Sequence, residues 1–127
     1  MSRVRILPGP PVDVRPRSYA PPVRRERFGN WTLLMPETRR ERATGLLGRR
    51  DLDPWTALVL RRCRSVHSVG MRFPIDVVVI DRRGRVVRIV PLRPGRFMPP
   101  SLRGTHIIEV AAGRGEAFVR SRARLFA

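Results

Sequence analysis

Cys63 to Asp81, CRSVHSVGMRFPIDVVVID, is a polar, glycine-containing approach that turns into an unbroken apolar run. Such a passage reads as a loop feeding a buried strand. Pro74 has no N–H for a strand ladder and pushes Phe73 before it into extended geometry, so the strand starts near Ile75. Ile75, Val77, Val78, Val79 and Ile80 are β-branched and too few to span a bilayer, which predicts a strand covered on at least one face, with cover on both the favoured arrangement. Asp76 is the misfit. A carboxylate among isoleucine and valine needs partners or must neutralise itself. Extended geometry reaching back from the strand puts Arg72, Pro74 and Asp76 on one face, which makes Arg72 the nearest local partner.

Around this strand the chain has little to spare. Its 127 residues allow one domain with one modest core. Residues 1–27 carry Pro8, Pro10, Pro11, Pro16, Pro21 and Pro22 between arginines. That composition cannot repay its ordering entropy and predicts a disordered, polyproline-rich tail, leaving a β-rich domain over 28–127. The tail's LPGPPV and YAPPVR segments have the composition that docks into aromatic-lined grooves.

Charge is lopsided. There are 27 arginines, no lysine and ten Asp plus Glu, for a formal charge of +17. A field of that size attracts polyanions. Yet so complete an absence of lysine points to biased codon usage, since both cations serve on most exposed sites. Charge alone therefore does not select nucleic acid as the partner. The one cysteine excludes an internal disulfide framework. No segment approaches eighteen apolar residues and the N-terminus lacks a signal-length apolar core, so the cytoplasm is the default compartment.

In chain order, Asn30 to Met35 reads as a short strand stopped by Pro36. Thr38 and Glu41 have the spacing of a capping box and predict a helix of two to three turns, with Ala43, Leu46 and Leu47 packed down and Gly48 ending it. Thr56 to Leu60 reads as a second buried strand. Ile75–Asp81 and Arg85–Val90 are joined by Arg82, Arg83 and Gly84, which is hairpin chemistry. Pro91 to Ser101, with four prolines, reads as a loop that could serve as a rim. Thr105 to Val110 is another strand, with Glu109 inside an apolar run as Asp76 is. Glu116 to Val119 reads as a short helical piece, and Ala123 to Phe126 as a last strand.

TRRERATGLLGRR, then CRSVHSVGMRFPIDVVVIDRRGRVVRI, then THIIEVAAG together resemble the family filed as domain of unknown function 192, also called uncharacterised protein family 0127. The likeness covers roughly Trp31 to Leu125. It is nearest the branch having CxxxH before GMxFPID; other members place a Trp-Met-Lys-Asn-Thr pattern where this chain has His67 to Met71. The resemblance implies a compact, mostly β, barrel-like domain with a small helix and no established activity. Relatives usually have a Gly-Asp pair before the last strand, whereas this chain has Ser121-Arg122, so no site is expected to use a terminal Asp.

The fold class expected is therefore mainly β (α+β): a small barrel-like domain with one short helix after the first strand. Cys63, His67, Arg72, Asp76, His106 and Glu109 are the candidate binding residues. CxxxH brings two soft ligands near each other, but a closed zinc site wants four and a catalytic one three plus water. A Cys/His nucleophile pair needs a base in reach and a depressed thiol pKa. No P-loop, GxGxxG, HExxH or GxSxG occurs. The reading is a monomeric, noncatalytic binding or accessory domain without cofactor or metal, whose cleft near His67, Arg72, Asp76 and Glu109 takes a small polar ligand or a partner's segment. Two alternatives stand beside it: an RNA- or DNA-associating protein using its arginine surface, and an enzyme or metal site on Cys63 and His67. The cleft requires folding to bring Asp76 and Glu109 into one polar hollow.

Overall fold

The computed structural model describes residues 23–125. In chain order the elements are β1 (Arg24–Phe28), β2 (Trp31–Met35), α1 (Arg39–Thr44), β3 (Thr56–Arg61), β4 (Val66–His67), β5 (Ile75–Asp81), β6 (Val86–Leu92), β7 (Phe97–Met98), β8 (Gly104–Ala111) and α2 (Gly115–Leu125). Six strands form one sheet in the order β1-β2-β3-β8-β5-β6, and β4 and β7 form a two-stranded ribbon. β1 and β6 are the outer strands of that order, so the sheet is open and the barrel is only approached. The mainly β, α+β class holds.

β5 is the sheet's most enclosed strand. All seven of its residues are buried, and it pairs with β6 on one side and β8 on the other. Because side chains alternate across a strand, it feeds two cores. Ile75, Val77 and Val79 join Leu34, Leu58, Leu60 and Ile107 under the loops and the β4–β7 ribbon. Val78 and Ile80 join Trp31, Ala57, Ile108, Val110 and Phe118 beneath α2. At about 25 cal/mol per Å² of apolar area, each such fully buried Val or Ile contributes roughly 1.5–3 kcal/mol.

The local signals are realised at several points. Thr38 Oγ1 accepts from the Glu41 amide at 3.0 Å while Glu41 Oε1 accepts from the Thr38 amide at 3.1 Å. The β5–β6 turn places Gly84 at φ +82°, where a side chain would be strained. Four expectations need correction. α1 ends at Gly45 rather than Gly48 and contains no buried residue; Leu46 is buried just after it, while Leu47 is exposed. An apolar residue past the cap can pack without belonging to the helix. Pro91 and Leu92 belong to β6 rather than to a loop, which proline tolerates because β6 is an edge strand.

The other two concern the chain ends. β1 begins inside the stretch assigned to the tail, which took in all of it but Phe28, and pairs antiparallel with β2, Arg24 opposite Met35 and Phe28 opposite Trp31. Edge pairing needs backbone groups rather than an apolar pattern, so RRERF gave no strand signal; residues 1–22 lie outside the described residues. α2 is eleven residues long and takes in Ala123 to Leu125, which were expected in a strand; Phe126 lies outside the described residues. A second helix thus joins the one expected, built from good helix formers such as Glu, Ala and Arg.

A close approach at the start of β8 tests this packing. A Cβ on Gly104 would stand 2.3 Å from Val79 Cγ1 and 3.1 Å from both Ser101 Cβ and Oγ. Gly104→Ala is expected to destabilise by about 1–3 kcal/mol through overpacking, read as a lower denaturant midpoint with an unchanged slope.

Candidate functional site

The strand register decides the fate of the expected polar hollow. Asp76 stands opposite Val110, and Val77 stands opposite Glu109. Directly opposed residues share a face, so Asp76 points with Val110 toward α2 and Glu109 points with Val77 toward the other core. The two acids occupy opposite faces of the sheet, and no shared hollow forms between them. Each is nevertheless buried, Asp76 being 8% exposed and Glu109 6%.

Asp76 is a fastener. Its Oδ2 accepts from the Gly115 amide at 2.9 Å, fixing the first residue of α2 to β5. Gly115 is required there, since a Cβ would meet Ile89 Cγ2 at 2.7 Å and Asp76 Oδ2 at 3.0 Å. Arg72, the partner expected for Asp76, is exposed, and among the described residues it makes no ion pair with it.

Glu109 differs. Among the described residues no group donates a hydrogen bond to its carboxylate, and burial pushes its pKa up to about 7 from 4.5. Near neutral pH it is partly a neutral acid in an apolar core.

The remaining candidates are also separated. Cys63 is half-buried against the Glu109 core; Sγ donates to the Ser65 carbonyl at 3.2 Å, and burial, above other causes, raises the thiol pKa. A thiol so held is not a ready nucleophile. His67 is exposed on the ribbon opposite Phe97. His106 Nδ1 accepts from the Arg62 amide at 3.1 Å, and burial, then the charges of Arg61 and Arg62, lower its pKa. That bond holds Arg62 at φ 53°, a backbone state costly for a residue with a side chain. Among the described residues no three His, Cys, Asp or Glu side chains are grouped to hold a metal ion.

What folding does bring together is arginine. β2 and β3 are parallel, and β3 and β5 are each antiparallel to β8, so the C-terminal ends of β2, β3 and β5 lie together with the starts of β1, β6 and β8. The segments leaving that end bring arginines from separate parts of the chain together. One cleft there, of about 770 Å³, is lined by Arg24, Arg39, Arg42, Arg61 and Arg62 with Glu37. A second, of about 440 Å³, is lined by Arg64, Arg82, Arg83, Arg85 and Arg103 with Asp81.

Both acids are already engaged. Glu37 accepts from Arg24 at 2.8 Å, and Asp81 accepts from Arg85 at 3.3 Å and from the Arg83 and Arg85 amides. Those amide bonds lower the Asp81 pKa, the Arg85 amide foremost. Arg42 and Arg64 are tied to the carbonyls of Arg61 and Ser101. Arg39, Arg61, Arg62, Arg82, Arg83 and Arg103 line the clefts with no side-chain acceptor among the described residues.

Two further features carried no sequence signal. Ser68, fully buried, donates through Oγ to the Arg93 carbonyl and accepts from the Arg96 amide at 2.9 Å, pinning the 93–96 turn to the ribbon. Trp55 and Arg114 meet at the opposite end of the sheet; only their separation in sequence hid them.

Glu109 gives the protein a pH signature. An acid with a raised folded pKa binds its proton more tightly when folded, so its contribution to stability is complete below pH 4.5 and falls as pH rises to about 7. The loss is roughly 3 kcal/mol. Glu109→Gln cannot ionise and should be the more stable protein at pH 8, with its advantage over the parent vanishing at pH 4.5. Denaturant melts of both proteins at each pH check this, and contributions such as that of His106 cancel between them.

A family model described as Uncharacterized ACR, COG1430, domain of unknown function 192, matches residues 23–119. No curated protein matches. A crystal structure of a protein of unknown function from Novosphingobium aromaticivorans DSM 12444 superposes with a TM-score of 0.56 at 14% identity, covering 87% of this chain and 94% of that one, which is a likeness of fold. No helix among the described residues is long and apolar enough to cross a membrane. With the GMRFPID segment leading into β5 and the match running from β1 into α2, the chain belongs to the family of domain of unknown function 192.

Proposed function

We propose that this is a binding domain whose partner is the phosphate backbone of a nucleic acid, engaged along the arginine end of the sheet. The observation that carries the reading is the pair of clefts in which ten arginines face two carboxylates that are both already paired. Bulk charge had been a poor guide, because codon bias scatters arginine everywhere. Placement is a better one, since six unengaged guanidiniums on the segments leaving one sheet end form a field with a direction.

Six strands at about 4.8 Å spacing make that end roughly 24 Å wide, a length over which duplex DNA carries about fourteen charges. Arginine suits the task, with a planar fork that matches phosphate oxygens. Base stacking is not part of the proposal, because Phe28, Trp31, Phe73 and Phe118 are buried in the cores and the exposed Trp55 and Phe97 line neither arginine cleft.

The polar cleft expected around His67, Arg72, Asp76 and Glu109 has no counterpart in this geometry, so a small ligand held by those four together is not proposed. Binding as a class of function is kept, and its location moves to the sheet end.

Salt dependence tests the reading. Six phosphate contacts predict a slope of log K against log salt near −5 on duplex DNA. Replacing Arg82, Arg83 and Arg103 together by alanine should reduce that slope by about 3, while replacing Arg88, Arg93 and Arg96, which leave from other parts of the surface, should leave it nearly unchanged. Equal losses from both triples would reduce the effect to net charge, and a flat salt dependence of the parent would end the proposal.

A further inference from the structure

The end of the sheet opposite the arginine clefts carries a different arrangement. The Arg114 guanidinium carbon lies 4.6 Å from the Trp55 ring centroid and 5.4 Å from that of Trp31, with the two indoles set edge to face at 5.4 Å. Its Nε donates to the Pro54 carbonyl at 3.0 Å, which fixes the plane of the group. Nη2 is shielded from solvent and meets no acceptor among the described residues. Among the described residues the charge of Arg114 meets no carboxylate.

An open cleft of about 490 Å³ lies beside it, within the size range of small-molecule sites, lined also by Asn30, Trp55, Arg120 and Ser121. Its walls are fixed. Trp31, 1% exposed, donates through Nε1 to Ser121 Oγ at 3.1 Å, and that hydroxyl donates to the Ala117 carbonyl at 3.0 Å. Trp55, by contrast, is 43% exposed, a large apolar face turned to solvent beside a cation. Arg120 adds a second positive charge, held among the described residues only by a 3.6 Å pair with exposed Glu116.

We propose that this cleft is a site for a small carboxylate bearing a flat apolar group. The carboxylate is drawn between the guanidiniums of Arg114 and Arg120, both of which line the cleft, and the flat group rests on the exposed part of Trp55. Stacking on two indoles orients the guanidinium before the ligand arrives, so little side-chain freedom is lost on binding. The site is separate from the arginine clefts and shares no residue with them.

Benzoate and its neutral counterpart benzyl alcohol distinguish this from simple apolar stacking. In ¹H–¹⁵N spectra of the full chain, benzoate is expected to shift the Trp55 indole and the Arg114 and Gly115 amides saturably, leaving the Arg83 and Arg103 amides still. Benzyl alcohol should bind at least about tenfold more weakly, the equivalent of one charge-assisted hydrogen bond. Arg114→Lys keeps the charge and loses the planar group stacked on the indoles, and should weaken benzoate by a similar factor while the spectrum shows the fold intact. Equal affinity for the two compounds, unchanged benzoate binding in Arg114→Lys, or no saturable shift at the Trp55 indole would each overturn the proposal. The comparison of compounds on the unaltered protein stands even if the lysine variant fails to fold.

Discussion

A strand buried along its whole length and paired on both sides leaves no choice about where its side chains go, and β5 imposes that condition on the rest of the molecule. Period two sends Ile75, Val77 and Val79 into one core and Asp76, Val78 and Ile80 into the other. Each neighbour must then supply matching apolar residues in register: Ile107 on the first side, Ile108 and Val110 on the second. α2 and the β4–β7 ribbon exist in this fold as the covers of the two faces. A one-residue slip between β5 and β8 would exchange the faces along that pair and strand both acids.

The same condition explains why two similar acids came to different ends. Asp76 sits at the second residue of β5, where the start of α2 passes over it, and a backbone amide is within reach. Glu109 sits toward the end of β8 on the other face, where it packs with the apolar core, and burial raises its pKa instead. Burial is alike; the supply of donors is not. Removing the Asp76 carboxylate would leave the Gly115 amide unpaired as well, whereas neutralising Glu109 costs the fold little.

Much of this was legible from local chemistry. The proline before Ile75, the capping box of Thr38 and Glu41, and the glycine of the β5–β6 turn each state a backbone condition within a few residues, and each is met. What could not be read was anything set by register or by strand order. Asp76 and Glu109 look equivalent as single residues in apolar runs, and only the pairing of Val77 with Glu109 separates them. Arg114 and Trp55 are about sixty residues apart in the chain. β1 escaped because an edge strand draws on its partner's backbone, and RRERF has one apolar residue to show for it. The resemblance supplied the family, and the family brought no activity with it.

Where such a protein can bind anything is then a question of which surfaces remain. Both faces of the sheet carry cores. Its edges are guarded: β1 presents Arg24, Arg25 and Arg27, and β6 carries Arg88 and Pro91, charges and a missing donor that discourage pairing with another strand. The two ends are left, and they differ in kind because strand direction sorts the connecting segments. The segments that leave the C-terminal ends of β2, β3 and β5 bring arginines together, whereas the other end collects Trp31, Trp55 and Arg114 around the entry to α2. A diffuse cationic surface suits a long anion held by many weak contacts, with affinity that scales with the number of charges displaced. A single oriented guanidinium between indoles suits a small ligand held by a few directed ones. One topology thus sets the two proposed modes of recognition apart by the length of the sheet.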